Sequence, residues 1–205
     1  MKPRRIIAGT LWFALLFLGA PWQQAAQSHS AKETPDKLVK YGDNSRAQKY
    51  FTDVFLVNQN NERMRFYSDL LKGKVVVINT FYTDCSDACP VHMQKFVEIQ
   101  KALGDRVGKD VHLISISVDP TTDTPPRLKE YAKRFNAKPG WYFLTGKKAD
   151  VEMALYKVGQ YVKTKEAHLN LIIIGNEPAR RWKKAMGLAP TESLIKQVEA
   201  VLHNE

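Results

Sequence analysis

The chain has 205 residues, 44% of them apolar and 25% charged, with a formal net charge of +10 and only two cysteines. That length supports one domain with a core that needs no disulfide staples, and the composition excludes fibrous, low-complexity and disulfide-scaffold classes. The basic residues are spread along the chain, most closely spaced at Arg180-Arg181 and Lys183-Lys184, with no helix-turn-helix and no interleaved aromatic–arginine pattern. No nucleic-acid partner is therefore expected; the charge reads as a solvated basic surface, with docking to an acidic partner or to anionic lipid headgroups as the alternative.

In chain order, Met1–Arg5 (M-K-P-R-R) is basic, and Ile6–Ala20 is an apolar run of 15 residues followed by small and polar ones (Ala25, Ala26, Ser28). This is the pattern of a signal peptide and is short for a membrane span. Residues 1–28 are thus expected to be a cleaved signal or an uncleaved anchor lying in the membrane through residues 6–20. Either implies export, to the periplasm and at most tethered to the inner membrane, where two thiols oxidise unless they are kept reduced or metal-bound. No cysteine stands near the run, which excludes a cysteine-linked lipid. Residues 29–49 are polar and without periodicity and read as a flexible tether, leaving 50–205 as the folded domain.

Within that domain, Asp53–Val57 and Arg63–Phe66 flank the turn Asn58-Gln59-Asn60-Asn61 and predict a hairpin. Val75–Thr80 is β-branched and apolar, the signature of a buried central strand. A helix should follow Pro90, carry Met93, Phe96, Val97 and Leu103 on its inner face, and stop at Gly104. Val111–Val118 is a second strong strand. Thr124-Pro125 should open a helix running to about Phe135, with Thr as N-cap and Pro at N1. Trp141–Thr145 predicts a third strand, Ala149–Val158 a helix, and Leu169–Ile174 a fourth strand that turns at Gly175–Pro178 into Arg181–Met186. Thr191–His203 closes the chain as an amphipathic helix. The order, a hairpin and then β-α-β-α-β-α-β-β-α, is the thioredoxin-like arrangement. It is an α/β fold with a central mixed sheet flanked by helices and an amino-terminal β-hairpin extension.

The chemistry sits between the first central strand and its helix, at Thr83-Asp84-Cys85-Ser86-Asp87-Ala88-Cys89-Pro90. Thiols at a strand-to-helix junction lie near the positive end of the helix, which stabilises a thiolate. Residues four apart on a helical turn share one face, so Cys85 and Cys89 can close a disulfide or face one soft ion such as Cu(I) or zinc. A plain structural disulfide is the bland alternative. A metal would need a third ligand. Of five histidines, His29 lies in the tether, His203 in the last turn and His112 inside a strand. His92 lies on the cysteine helix, and His168 stands just before the fourth strand, a segment that packs against the cysteine turn in this fold. His168 is the best placed, with His92 second.

These residues resemble the Sco/SenC family of copper-handling, thioredoxin-like proteins. The resemblance rests on T-x-C-x-x-x-C-P at Thr83–Pro90, on Lys72-Gly73-Lys74-Val75-Val76, on Ser117-Val118-Asp119-Pro120 with Asp123-Thr124-Pro125, Leu128 and Tyr131, and on the downstream histidine at His168. It implies a metallochaperone holding copper, as Cu(I) or as Cu(II) with a water, through Cys85, Cys89 and His168. It also implies a partner: the copper-centre subunit of cytochrome c oxidase, or another cuproprotein, which receives copper or has its cysteines reduced, with a thiol reductant in attendance. Asp87 matches an acidic position of the motif. The competing reading is a metal-free thiol–disulfide oxidoreductase or thiol peroxidase in which Cys85 attacks and Cys89 resolves. Against it stand the C-x-x-x-C spacing, Ala167-His168 where reductases carry a cis-proline, and the absence of a nearby arginine in sequence.

Overall fold

The structure is a computed structural model that describes residues 45–86 and 88–203. The leader and most of the tether (1–44), together with Asp87, lie outside the described residues.

One seven-stranded mixed sheet organises the domain, in the order β2-β1-β5-β4-β3-β6-β7. β3 (Val75–Phe81) and β4 (Val111–Ser117) pair in parallel, with Val77 opposite Leu113, and β4 pairs in parallel with β5 (Trp141–Gly146). β6 (Leu171–Asn176) runs antiparallel to β3, and β7 (Arg181–Met186) antiparallel to β6. On the far side, the hairpin β1 (Phe55–Asn58) and β2 (Arg63–Arg65) joins β5 through an antiparallel β1. The expected architecture, including the hairpin extension, is the one observed.

The alternation of β3 explains the three layers. Val75, Val77 and Phe81 point into one core with α2 (Ala88–Leu103), α3 (Pro125–Arg134) and α5 (Thr191–Leu202). Val76 and Ile78 point into the other, with α1 (Ser45–Phe51) and α4 (Lys148–Lys157). Every residue of β3 and β4 is buried, as two covered faces require. Gly104 ends α2 in the left-handed region, φ +54°, as the sequence suggested.

Four expectations are corrected. Residues 45–49 are helical rather than tether: α1 is fixed because Phe51 packs on Phe66, Tyr67 and Trp182. Phe66, expected to end the second hairpin strand, instead opens a π-helical turn, Phe66–Leu71. The fourth central strand begins at Leu171, not Leu169, so His168–Asn170 stay outside the ladder. Thr124 occupies the N-cap position of α3 but makes no side-chain cap bond.

Candidate metal and thiol site

The site lies where β3 leaves the sheet. A polar chain beneath it holds the strands together: Ser115 Oγ donates to Asn79 Oδ1 at 2.6 Å, Trp141 Nε1 donates to Ser115 Oγ at 3.0 Å, and Asn79 Nδ2 meets Met93 Sδ at 3.3 Å. Met93 is one turn beyond Cys89 on α2, so this chain ties the floor of the site to the cysteine helix.

The turn before the cysteines is held by Asp123, which is fully buried. Its carboxylate accepts the Thr83 backbone N–H at 3.2 Å, the Thr83 hydroxyl at 2.5 Å and the Ser117 hydroxyl at 2.5 Å. Burial pushes the carboxyl up from the ordinary aspartate value, and the hydrogen bonds from Ser117 and Thr83 offset only part of that. Arg127 pairs with Asp84 and donates to Thr83 Oγ1 at 3.0 Å, closing the outer side of the turn. An arginine distant in sequence thus reaches the turn that leads to the cysteines, where the Asp84 carboxylate holds its guanidinium.

Cys85 and Cys89 are both buried, 8% and 1% exposed, and no disulfide joins them. His168 reaches them from the segment before β6. Its Nε2 lies 3.4 Å from Cys89 Sγ, and one donor atom from each of Cys85, Cys89 and His168 falls within 4.8 Å of the others. Among the described residues this is the one such group of histidine, cysteine and carboxylate ligands. The sequence-expected trio is thus brought together.

The ring of His168 is oriented for the task. Its Nδ1 lies 2.9 Å from the Lys165 carbonyl oxygen, an acceptor only, so Nδ1 carries the proton and Nε2 presents its lone pair toward the sulfurs. Lys165 is itself anchored, its Nζ 2.7 Å from Asp119 Oδ2 at the end of β4. Burial, with the neighbouring Cys85 sulfur adding to it, pushes the Cys89 thiol up to about 12, so Cys89 is a thiol at neutral pH. Two sulfurs and one imidazole, partly shielded from water, form a soft donor set suited to Cu(I) and too few for a closed tetrahedral zinc site.

His92 is not in this group. It is buried at 1% exposure, neither ring nitrogen has a hydrogen-bond partner, and Gly187 lies against it so closely that a Cβ there would sit 1.2 Å from Nε2. Burial drives its imidazolium down to about 4, so it is a neutral packing group. His112 behaves likewise, stacked on Tyr142 with ring centroids 6.1 Å apart. Sequence reasoning missed Lys165. Lys165 carried a usable signal, three residues before His168, the spacing of a 3₁₀ turn whose carbonyl can face the ring.

The fold and the site define a thioredoxin-like domain with a dithiol–imidazole centre. The SCO1/SenC family model matches residues 42–200, and the chain belongs to that family. It is 33% identical to the SCO2-like protein of Rickettsia typhi over 147 residues, 72% of this chain and 64% of that protein. It is 38% identical to the SCO2-like protein of Rickettsia conorii over 100 residues, 49% of this chain and 46% of that one. The match thus spans about half to two thirds of the length of these relatives. Among solved structures, Bradyrhizobium japonicum ScoI with copper bound superposes with TM-score 0.60 at 28% identity, covering 72% of this chain and 96% of that one. BsSco, a member of the Sco family of cytochrome c oxidase assembly proteins with a disulfide switch, superposes with TM-score 0.62 at 27% identity, covering 76% and 94%.

Proposed function

We propose that this protein is a copper metallochaperone that serves assembly of the copper centre of cytochrome c oxidase. It carries copper on Cys85 Sγ, Cys89 Sγ and His168 Nε2. The observation that carries this reading is the convergence of the three donor atoms within 4.8 Å, with the imidazole tautomer set by Lys165. The copper-bound ScoI structure supports it, and kinship with oxidase assembly proteins supports the copper-centre subunit, or another cuproprotein, as the partner. The cargo is Cu(I), for which two thiolates and one imidazole supply a low-coordinate soft site; Cu(II) completes its shell with water. Residues 1–28 act as the export signal or anchor and 29–44 as the tether, so the domain works in the periplasm or at the inner-membrane surface. Among the described residues no helix is long and apolar enough to cross a membrane.

The BsSco disulfide switch favours a linked role, in which the same cysteine pair reduces the partner's cysteines. The test is an anaerobic competition titration of the reduced protein with a Cu(I)-specific chelator. One Cu(I) per chain is expected, lost in Cys85→Ser and Cys89→Ser and weakened at least tenfold in His168→Ala. Unchanged affinity in all three variants would overturn the assignment. Rapid metal-free reduction of disulfides, with no copper uptake, would favour the oxidoreductase instead.

A further inference from the structure

The basic pair Lys183-Lys184 has no part in the copper site. It lines a cavity of about 320 Å³ where α1, the end of α4 and the edge strand β7 meet. Tyr50, Phe51 and Trp182 supply aromatic walls and Lys157, Lys183 and Lys184 supply cations; no acidic side chain lines the cavity. Lys157 Nζ stands 5.1 Å from the centre of the Tyr50 ring, and Lys184 Nζ arches over Gly159, where a Cβ would meet it at 3.2 Å. Among the described residues none of the three lysines is ion-paired. Two plainer explanations fall short. Lysines on an edge strand discourage pairing with another chain, which covers Lys183 and Lys184 but not Lys157 on α4. The carboxyl end of α4 offers about half a negative charge, too little for three cations. The positive face continues along α1, where Arg46 stands one turn before Tyr50 and Lys49 beside it, both exposed. Tyr50 is 57% exposed, and Tyr156, next to Lys157, is 67% exposed.

We propose that this face docks on an anionic phospholipid surface, with a lipid phosphate held between Lys157, Lys183 and Lys184 and the exposed tyrosines at headgroup level. The unpaired cations set the sign of the ligand, and the aromatic walls set its amphipathic character. The chain's path points to a membrane as its source. α1 is the first described element, so residues 6–20, the expected membrane segment, join the domain through a wall of this cavity. The export proposed above brings the domain to such a surface; the copper reading plays no part. α1 and α4 cover one face of the sheet and the cysteine helix α2 covers the other. A domain docked here therefore keeps its sulfur ligands clear of the lipid and open to a protein partner.

The test is hydrogen–deuterium exchange of the full chain, without copper, on vesicles of phosphatidylcholine alone and of phosphatidylcholine mixed with phosphatidylglycerol. Insertion of residues 6–20 is common to both vesicles, so the difference between them reports the lysine face. Backbone amides of α1, the last turn of α4 and β7 should be protected on the mixed vesicles only, and added salt should remove the protection. The docking constant read from that protection should fall about fivefold in Lys183→Gln and about 100-fold when Lys157, Lys183 and Lys184 are all replaced by Gln. Circular dichroism checks that the variants fold. Equal protection on both vesicles, or a triple variant that docks like wild type, would overturn the proposal. The same protection by inorganic phosphate alone would assign the cavity to a free anion. Protection by a soluble acidic protein and not by vesicles would assign the face to a protein partner; either result overturns membrane docking. No copper enters this experiment, so its failure and failure of the copper titration are separate results.

Discussion

Replacing Asp123 should loosen the cysteine turn and the whole domain together. In Asp123→Ala the Thr83 N–H, the Thr83 hydroxyl and the fully buried Ser117 hydroxyl lose their shared acceptor. An orphaned buried donor costs about 1–3 kcal/mol. Thr83 is only partly buried, so water can serve it in part, and the expected loss is about 3 kcal/mol rather than three full penalties. For a domain of this size that is roughly a 10 °C drop in Tm. Asp123→Asn keeps one acceptor oxygen and should lose less than half as much. Thr83 is two residues before Cys85, so Asp123→Ala should also weaken Cu(I) binding about tenfold, the usual scale for a group that orients a ligand. The pH dependence carries a sign. Burial raises the folded pKa of Asp123 above its unfolded value. Its contribution is therefore fully present below the unfolded pKa and is lost as pH rises through the folded one. The gap in Tm between wild type and Asp123→Ala should widen as pH falls from 7 toward 4. Thermal melts over that range measure it; an alanine variant melting within 2 °C of wild type at every pH would refute this role.

Copper loading should be pH-dependent: the Cys89 thiol, pushed up to about 12, must release its proton, so apparent affinity should fall at least tenfold per pH unit between pH 8 and 6. Competition titrations at three pH values check this, and a flat profile would contradict it. His92, held down to about 4 in the folded protein against 6.5 unfolded, contributes stability above the unfolded value that is lost as pH falls through 4. His92→Leu should therefore reduce the loss of Tm on acidification from pH 6.5 to 4 while leaving copper stoichiometry at one. Gly187→Ala should cost about 1–3 kcal/mol, because its Cβ would collide with the His92 ring, and His92→Ala in the same chain should recover part of that loss. Denaturant melts of both single variants and the double variant measure the coupling.

Much of this was legible in the sequence for identifiable reasons. Val75–Ile78 could only be a buried strand and Pro90 marked a helix start, but no shared helical face joins the two cysteines: α2 begins at Ala88, and Cys85 lies in the turn before it. The place of His168 followed from the order of elements, since the segment before the strand paired with β3 must pass the cysteine turn. What stayed hidden depends on contacts distant in sequence. α1 has only seven residues and no clear period; it is helical because Phe51 finds Tyr67 and Trp182. Asp123 reads as part of a helix start, yet its carboxylate turns inward to Thr83, 40 residues away. Arg127 reaches the cysteine turn through Asp84, 43 residues away.

The central claim is that one imbalance-free donor set, two sulfurs and one imidazole nitrogen, receives the copper. X-ray absorption at the copper edge of the reduced, Cu(I)-loaded protein tests it most directly. Two sulfur neighbours and one nitrogen, the nitrogen vanishing in His168→Ala and persisting in His92→Leu, is the predicted result. A copper with sulfur neighbours only in wild type, or a nitrogen that survives loss of His168, would contradict it.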